Sequence, residues 1–235
     1  MSDPFGLLSK NWLVWRIGRR HVGSVAHLAH GRVLDVGCGE MPLRSLFERD
    51  GVRIFGLDHP RSLHLNKRIE VFGSALILPI RSESIDTVLS LQVLEHVPEP
   101  LDMLKEIRRV LRPGGHLILT APHIWNVHEQ PHDYYRYTQY GLEHLLGKAG
   151  FEIVEVRPMA GYFVTAAARF CYFLAHFDRW GGQLVVKPLY FIVQALGWLM
   201  DRVYCDTTET WNYLAVGRAP ETGKGRRDPR EESTR

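Results

Sequence analysis

The run Val33-Leu34-Asp35-Val36-Gly37-Cys38-Gly39 constrains this chain more than any other stretch. An apolar segment enters a Gly-x-Gly turn, so a buried strand ends where missing side chains let a ligand approach the backbone. Asp58 follows 19 residues after Gly39, at the end of a second apolar run, Val52 to Leu57. A carboxylate there can accept hydrogen bonds from both hydroxyls of a ribose. Together these features predict a nucleoside cofactor at the switch point of an α/β sheet; without a ligand, the same residues are a tight turn and a surface aspartate. A dinucleotide fold would want a third glycine at position 42, which is Pro42. Asp35 would also set an anion beside a pyrophosphate. A zwitterionic sulfonium ligand with a free ammonium meets neither objection, and S-adenosylmethionine fits better than NAD.

The rest of the chain repeats the strand-and-helix pattern. Arg32 to Val36, Val52 to Leu57, Ile69 to Phe72, Ile85 to Ser90, His116 to Thr120 and Phe151 to Val156 read as strands, and Thr210 to Gly217 as a last one. Leu101, Leu104, Ile107, Val110 and Leu111 recur at helical spacing after Pro98 and Pro100, and Arg112-Pro113-Gly114-Gly115 stops that helix. Leu142 to Ala149 reads as a further short helix closed by Gly150. Alternating strands and helices imply parallel crossovers and a doubly wound sheet. Apolar residues make up 45% of the 235, enough for one core-bearing domain.

In order along the chain, Val-Leu-Asp-Val-Gly-Cys-Gly, Asp58, Leu94-Glu95-His96-Val97, Leu111-Arg112-Pro113-Gly114-Gly115 and Ala149-Gly150-Phe151 resemble the UbiE/type 11 branch of class I methyltransferases. The resemblance covers about residues 31 to 157 and reaches Gly217 through the final strand. It implies a Rossmann-like seven-stranded sheet in the order 3-2-1-4-5-7-6, strand seven antiparallel, with a helical insertion before the last strand. It further implies S-adenosylmethionine as cofactor. Asp35, Gly37, Cys38 and Gly39 fall at its methionine end, Asp58 and His59 at its ribose, and Ser74 and Ala75 at its adenine edge; the stretch from Ser90 through Leu91 to Gln92 closes over the methionine. Ser74 departs from the family, which often has an acid there to accept from the adenine amino group. The family's five landmarks specify fold and cofactor and are almost silent on substrate.

The acceptor side is expected between His123 and Thr138, after the C-terminal end of strand five, where open α/β sheets place ligands. Its Pro-His-Asp-Tyr-Tyr-Arg-Tyr-Thr run resembles a stretch that sits over the active site in many type 11 enzymes. On that reading His128 or His132 is a general base, and Tyr134 and Arg136 orient the acceptor. The competing reading is structural: Arg136 and Asp133 pair to anchor the loop and the tyrosines pack. His96 reads as a cap on the turn after strand four, and Cys38 as a small close-packed residue rather than a nucleophile. His21, His27, His30, His59 and His64 show no metal-cage spacing, so no metal is expected.

Two local biases remain. Between Pro4 and Leu34 lie five basic residues (Lys10, Arg16, Arg19, Arg20, Arg32), Trp12, Trp15 and no acid. Residues 1–30 therefore read as a basic, aromatic helical arm, a lid over the cofactor or a contact for an anionic membrane surface. Residues 31–219 read as the methyltransferase domain, with an apolar helical insertion at 161–207 and the last strand at 210–217; the charged stretch 220–235 reads as a disordered tail. Within the insertion, Pro188 to Met200 carries no charge, and thirteen helical residues span only ~20 Å, short of a bilayer core. The insertion is then a cap or homodimer face over the sheet edge, or an interfacial patch admitting a lipid-like substrate. A net charge of +3 is too balanced for a phosphate footprint, so nucleic acid is excluded as partner. Met1 to Lys10 lacks the pattern of a secretory signal, and the expected location is cytoplasmic, extending to the inner face of the membrane. The sequence thus predicts methyl transfer, most readily to oxygen, on a small-molecule or lipid-linked substrate. A non-catalytic cofactor-binding module and, further off, an NAD(P)-dependent oxidoreductase are the alternatives.

Overall fold

The computed structural model describes residues 6–62, 69–178 and 182–221; His64 and residues 222–235 of the expected tail lie outside them. β1 (Gly31–Val36) forms the centre of the sheet, with Val33, Leu34 and Val36 fully buried, and pairs in parallel with β2 (Val52–Asp58) and β4 (Ile85–Leu91). β3 (Ile69–Phe72) makes one edge. On the other side follow β5 (Leu111–Pro122), β7 (Asn212–Arg218) and β6 (Glu152–Pro158), giving the order 3-2-1-4-5-7-6. β7 runs antiparallel to both β5 and β6. Order and direction are those implied by the resemblance.

Among the described residues five α-helices cover the sheet: α1 (Trp12–Val25), α2 (Pro100–Val110), α3 (Gln139–Lys148), α4 (Tyr162–Asp178) and α5 (Gln183–Val203). Pro100 opens α2, where its missing N–H costs no helical bond, and Met103, Leu104, Ile107 and Val110 bury one stripe. The Thr138 side chain caps α3 by accepting from Gly141 N at 3.1 Å.

Strand alternation decides which residues meet which helices. Leu34, Val36, Val88, Leu117 and Leu119 face the core shared with α2 and α3. Val33, Leu89, Ile118, Leu214 and Val216 face the opposite core, beneath α1 and α4. The period of two therefore aims Asp35, Leu91, Thr120 and Asn212 at the α1 side, where they meet at the strand ends.

Several boundaries differ from the sequence expectation. β5 starts at Leu111 and runs through the Pro-Gly-Gly turn to Pro122, because Gly114 N and Ala219 N bond across to Ala219 O and Gly115 O at 2.8 Å each. β6 is Glu152–Pro158, and the last strand Asn212–Arg218. The connection between the first two strands holds only a 3-10 turn, Arg44–Leu46, and no α-helix lies between β1 and β4 among the described residues. Physically, α1 and fully buried Phe47 already fill that face, so the connection from β1 to β2 need not be helical. The apolar insertion is a helical hairpin longer than its uncharged run, because Pro188 sits inside α5 without ending it.

Candidate functional site

The turn after β1 is built by backbone bonds from both neighbours. Gly37 N and Cys38 N donate to Leu57 O at 2.8 and 3.1 Å, tying the turn to the end of β2. Gly37 and Gly39 adopt φ +68° and +45°, a region that side chains disfavour. A Cβ on Gly37 would also fall 2.6 Å from the Val93 side chain, so this glycine serves close packing against the segment after β4.

Asp58 joins the two strand ends. Its Oδ2 accepts from Gly39 N at 2.9 Å and its Oδ1 from His59 N at 2.7 Å. A carboxylate offers about four acceptor positions, so both oxygens retain capacity for a pair of hydroxyls. Gly73 N donates to the Asp58 backbone carbonyl at 3.1 Å, which ties the segment leading into Ser74 and Ala75 to the end of β2. The Ser74 hydroxyl accepts from Leu76 N at 3.2 Å and its carbonyl from Ile77 N at 3.2 Å, which closes a tight turn at this edge.

On the α1 side lies a cavity of ≈ 300 Å³. Asp35, Gly37, Cys38, Leu91 and Gln92 line it; Gly39, Asp58, His59, Ser74 and Ala75 do not. The cofactor candidates thus split into a cavity group and a group around the β2 end, joined through the bond from Gly39 to Asp58. The cavity's far walls are aromatic. Trp125 stands edge-on to Tyr172 at 5.0 Å between ring centres and 5.7 Å from Trp211, and Trp15 of α1 completes the enclosure. α1 therefore sits over the cavity as a wall, the lid reading of the arm.

Burial, and then the charge of Asp58, push the Asp35 carboxyl up to about 7, with Arg44 opposing. No hydrogen bond to this carboxylate is present among the described residues, so the cavity wall carries a buried acid that a ligand cation would complete. The Cys38 thiol is pushed up to about 12 by burial and by Asp35 and Asp58, which leaves it a packing residue.

Gln92 is the polar pivot of the floor. It holds φ +60°, and its Nε2 donates to Thr120 Oγ1 at 3.0 Å and Asn212 Oδ1 at 3.2 Å. Gln92, Thr120 and Asn212 tie the ends of β4, β5 and β7 into one polar patch in an otherwise apolar cavity. Thr120 and Asn212 were not evident as site residues in the sequence, because each sits in an ordinary strand; only the period-two register, counted from Asp35 and Ile118, would have aimed them inward.

His128, His132, Tyr134 and Arg136 do not line the cavity; from their loop, Trp125 does. Arg136 donates to both oxygens of Asp133 at 2.7 Å and to the carbonyls of Trp125, Tyr135 and Asn126. Asp133 also accepts from His128 N at 2.9 Å, and the hydrogen bond from Arg136 leads in holding its carboxyl down at about 2. This is the loop anchor. His132 Nδ1 meets the Tyr134 hydroxyl at 3.2 Å, and His96 Nδ1 donates to His132 O at 2.6 Å, so His96 ties down the loop rather than only capping its turn.

Beneath the loop, Glu95, His96 and His128 bring ligand-type atoms within 4.8 Å of one another, the group among the described residues that could hold a metal ion. Sequence order hid it, since His128 lies 32 positions beyond His96. The Glu95 side chain is fully buried, both its oxygens lack hydrogen-bond partners, and burial pushes its carboxyl up to about 8. The native state therefore keeps a proton that the unfolded chain has released. Stability falls as pH rises from about 4.5 to about 8, and Glu95→Gln should flatten that fall in denaturant titrations at a series of pH values.

Residues 34–119 match the Methyltransferase domain family. Over that stretch the sequence is that of a type 11 methyltransferase domain. A methyltransferase of uncharacterised role from a Mycobacterium species is 36% identical to it over 123 residues, covering 50% of this chain and 46% of that protein. The ubiquinone biosynthesis O-methyltransferase of Xanthomonas oryzae pv. oryzae is 32% identical over 112 residues, covering 43% and 47%. The likeness spans about half of these relatives' length. Among solved structures, the cyclase SpnF superposes on this chain with a TM-score of 0.59 at 23% identity, over 86% of this chain and 81% of its own, a likeness of fold.

Proposed function

We propose that this chain is an S-adenosylmethionine-dependent methyltransferase acting on oxygen in a small-molecule or lipid-like acceptor. The observation that carries the reading is the buried, cation-seeking Asp35 on the cavity wall, one glycine turn away from the spare acceptor capacity of Asp58. In that arrangement Asp35 holds an ammonium group, Asp58 a ribose and the backbone at Ser74 and Ala75 an adenine edge. Bound there, the cofactor supplies an electrophilic methyl group and a neutral thioether leaving group. The protein's task is then positioning, which contributes up to ~7–11 kcal/mol in the best-oriented reactions.

The aromatic walls and the patch of Gln92, Thr120 and Asn212 suit an acceptor with an apolar body and one polar end. Among the described residues no histidine lines the cavity. The site therefore favours an acceptor oxygen acidic enough to ionise without a base, a phenol or a carboxylic acid, with the lining guanidinium of Arg19 or Arg44 offsetting its charge. The name of the Xanthomonas relative, an O-methyltransferase of ubiquinone biosynthesis, agrees with that class.

Methyl-labelled cofactor incubated with the purified protein and a panel of phenols, carboxylic acids and lipid extracts tests the reading. Label should appear in base-stable ethers or base-labile esters, depending on the acceptor; cofactor binding with no transfer to any class would instead make the chain a binding module. Ala at His128 or His132 should change the transfer rate by no more than about twofold, whereas loss of a working base costs ~10²–10⁴-fold. A drop of that size would place the histidine at the reacting oxygen.

A further inference from the structure

The hairpin of α4 and α5 leaves most of its apolar surface uncovered. Fourteen of the twenty-four exposed large hydrophobic side chains among the described residues lie between Tyr162 and Tyr204. On α5, Val185, Ile192, Leu196, Leu199 and Val203 follow one another at helical spacing, with Val203 84% exposed. On α4, Phe170, Phe173 and Phe177 do the same: the first two rings stack at 6.1 Å, and Phe177 meets Phe173 edge-on at 5.8 Å. An apolar surface this continuous on a folded domain marks an interaction face.

Length alone would let α5 cross a bilayer: Leu184–Val203 has a mean hydropathy of 1.3 and only 22% of its apolar window buried. Its other face is fixed to the domain. Gln194 accepts from Leu13 N at 2.8 Å and donates to Ser9 O at 3.0 Å, anchoring α5 to α1. Gly197 lies so near α4 that a Cβ would fall 2.5 Å from the Ala167 side chain. A helix held on one side and bare on the other lies along a surface rather than through it.

The charges select the surface. From Arg157 to Met200 the only acid in the sequence is Asp178. Asp201 turns inward, accepting from Gly161 N and Phe163 N at 2.8 and 2.9 Å. Arg169 is exposed beside the α4 stripe, and Arg202 lies over the Trp198 ring at 4.2 Å. α1 adds exposed Arg16 and Arg20 and meets α5 through Trp12 and Phe191, 5.6 Å apart. A second copy packed here by a two-fold axis would bring these like charges toward one another, whereas anionic headgroups complement them.

We propose that the α4–α5 hairpin and the basic face of α1 seat this domain on the anionic surface of a lipid bilayer. Resting on the methyltransferase reading above, the same seat gives the cavity, walled by α1 and by Tyr172 of α4, access to an acceptor anchored in the leaflet.

The full chain is sedimented with phosphatidylcholine vesicles, with and without phosphatidylglycerol, at low and high salt. It should bind the anionic vesicles and be partly released by salt. The double variant Leu196→Glu/Leu199→Glu should lower the partition coefficient by about tenfold or more, while its melting temperature stays that of the parent, since both side chains are more than half exposed. Arg16→Glu/Arg20→Glu, which leaves the apolar stripes intact, should weaken binding to anionic vesicles only. Calorimetric affinity for S-adenosylmethionine should be equal in all three proteins, which separates this inference from the cofactor reading. The proposal is overturned if the parent ignores anionic vesicles at low salt, or if both double variants bind as the parent does. It is equally overturned if the parent is a dimer in solution that the glutamates dissociate, because the stripes then cover one another.

Discussion

Asp58→Ala should weaken binding of S-adenosylmethionine by about a hundredfold or more, the loss expected when two hydrogen bonds to an ionised acceptor, each worth ~1.5–3 kcal/mol, disappear. The same carboxylate also holds Gly39 N and His59 N, so its removal loosens the glycine turn as well as the sugar site. Asp58→Asn separates the two effects. The amide oxygen can still accept from one N–H, but its NH₂ group cannot accept at all. An intermediate affinity with a near-parental melting temperature is expected, and calorimetry with a thermal scan reads both. Equal affinity in all three proteins would mean that the ribose lies elsewhere.

The second large effect concerns stability. The Asp133 side chain is 1% exposed and takes both of its strong bonds from Arg136. Arg136→Ala strands that carboxylate in the loop, and breaking a buried pair in this way costs ~3–5 kcal/mol. Urea unfolding should show the loss near neutral pH. It should shrink in acid, because the parent's Asp133 loses its advantage as pH falls from the ordinary carboxylate range toward about 2. Removing both partners, as Arg136→Met/Asp133→Leu, should recover much of the loss. Were Arg136→Ala to keep full stability while slowing catalysis, the arginine would belong to the acceptor rather than to the loop.

What could be read in advance depended on whether a feature is local. The glycine turn and Asp58 rest on short-range pattern and the strand order on the family resemblance; the structure joins the first two by a hydrogen bond and adopts the implied order. The loop from His123 to Thr138 was ambiguous because an anchoring pair and an acceptor clamp use the same residue types; only the two 2.7 Å bonds between Arg136 and Asp133 separate them. Thr120 and Asn212 were invisible because their meaning depends on pairing between β5 and β7, which are 90 positions apart at that point. The grouping of Glu95 with His128 was hidden for the same reason.

The central claim is a sulfonium cofactor whose ammonium is met by Asp35, and calorimetry at several pH values tests it most directly. The account predicts that S-adenosylmethionine and S-adenosylhomocysteine bind and NAD does not. It also predicts that affinity rises as pH climbs toward about 7 and levels off above, with protons released on binding below that point, because the ligand's cation ionises Asp35. Binding of NAD in preference, or an adenosylmethionine affinity that is flat with pH and unaccompanied by proton release, would contradict it.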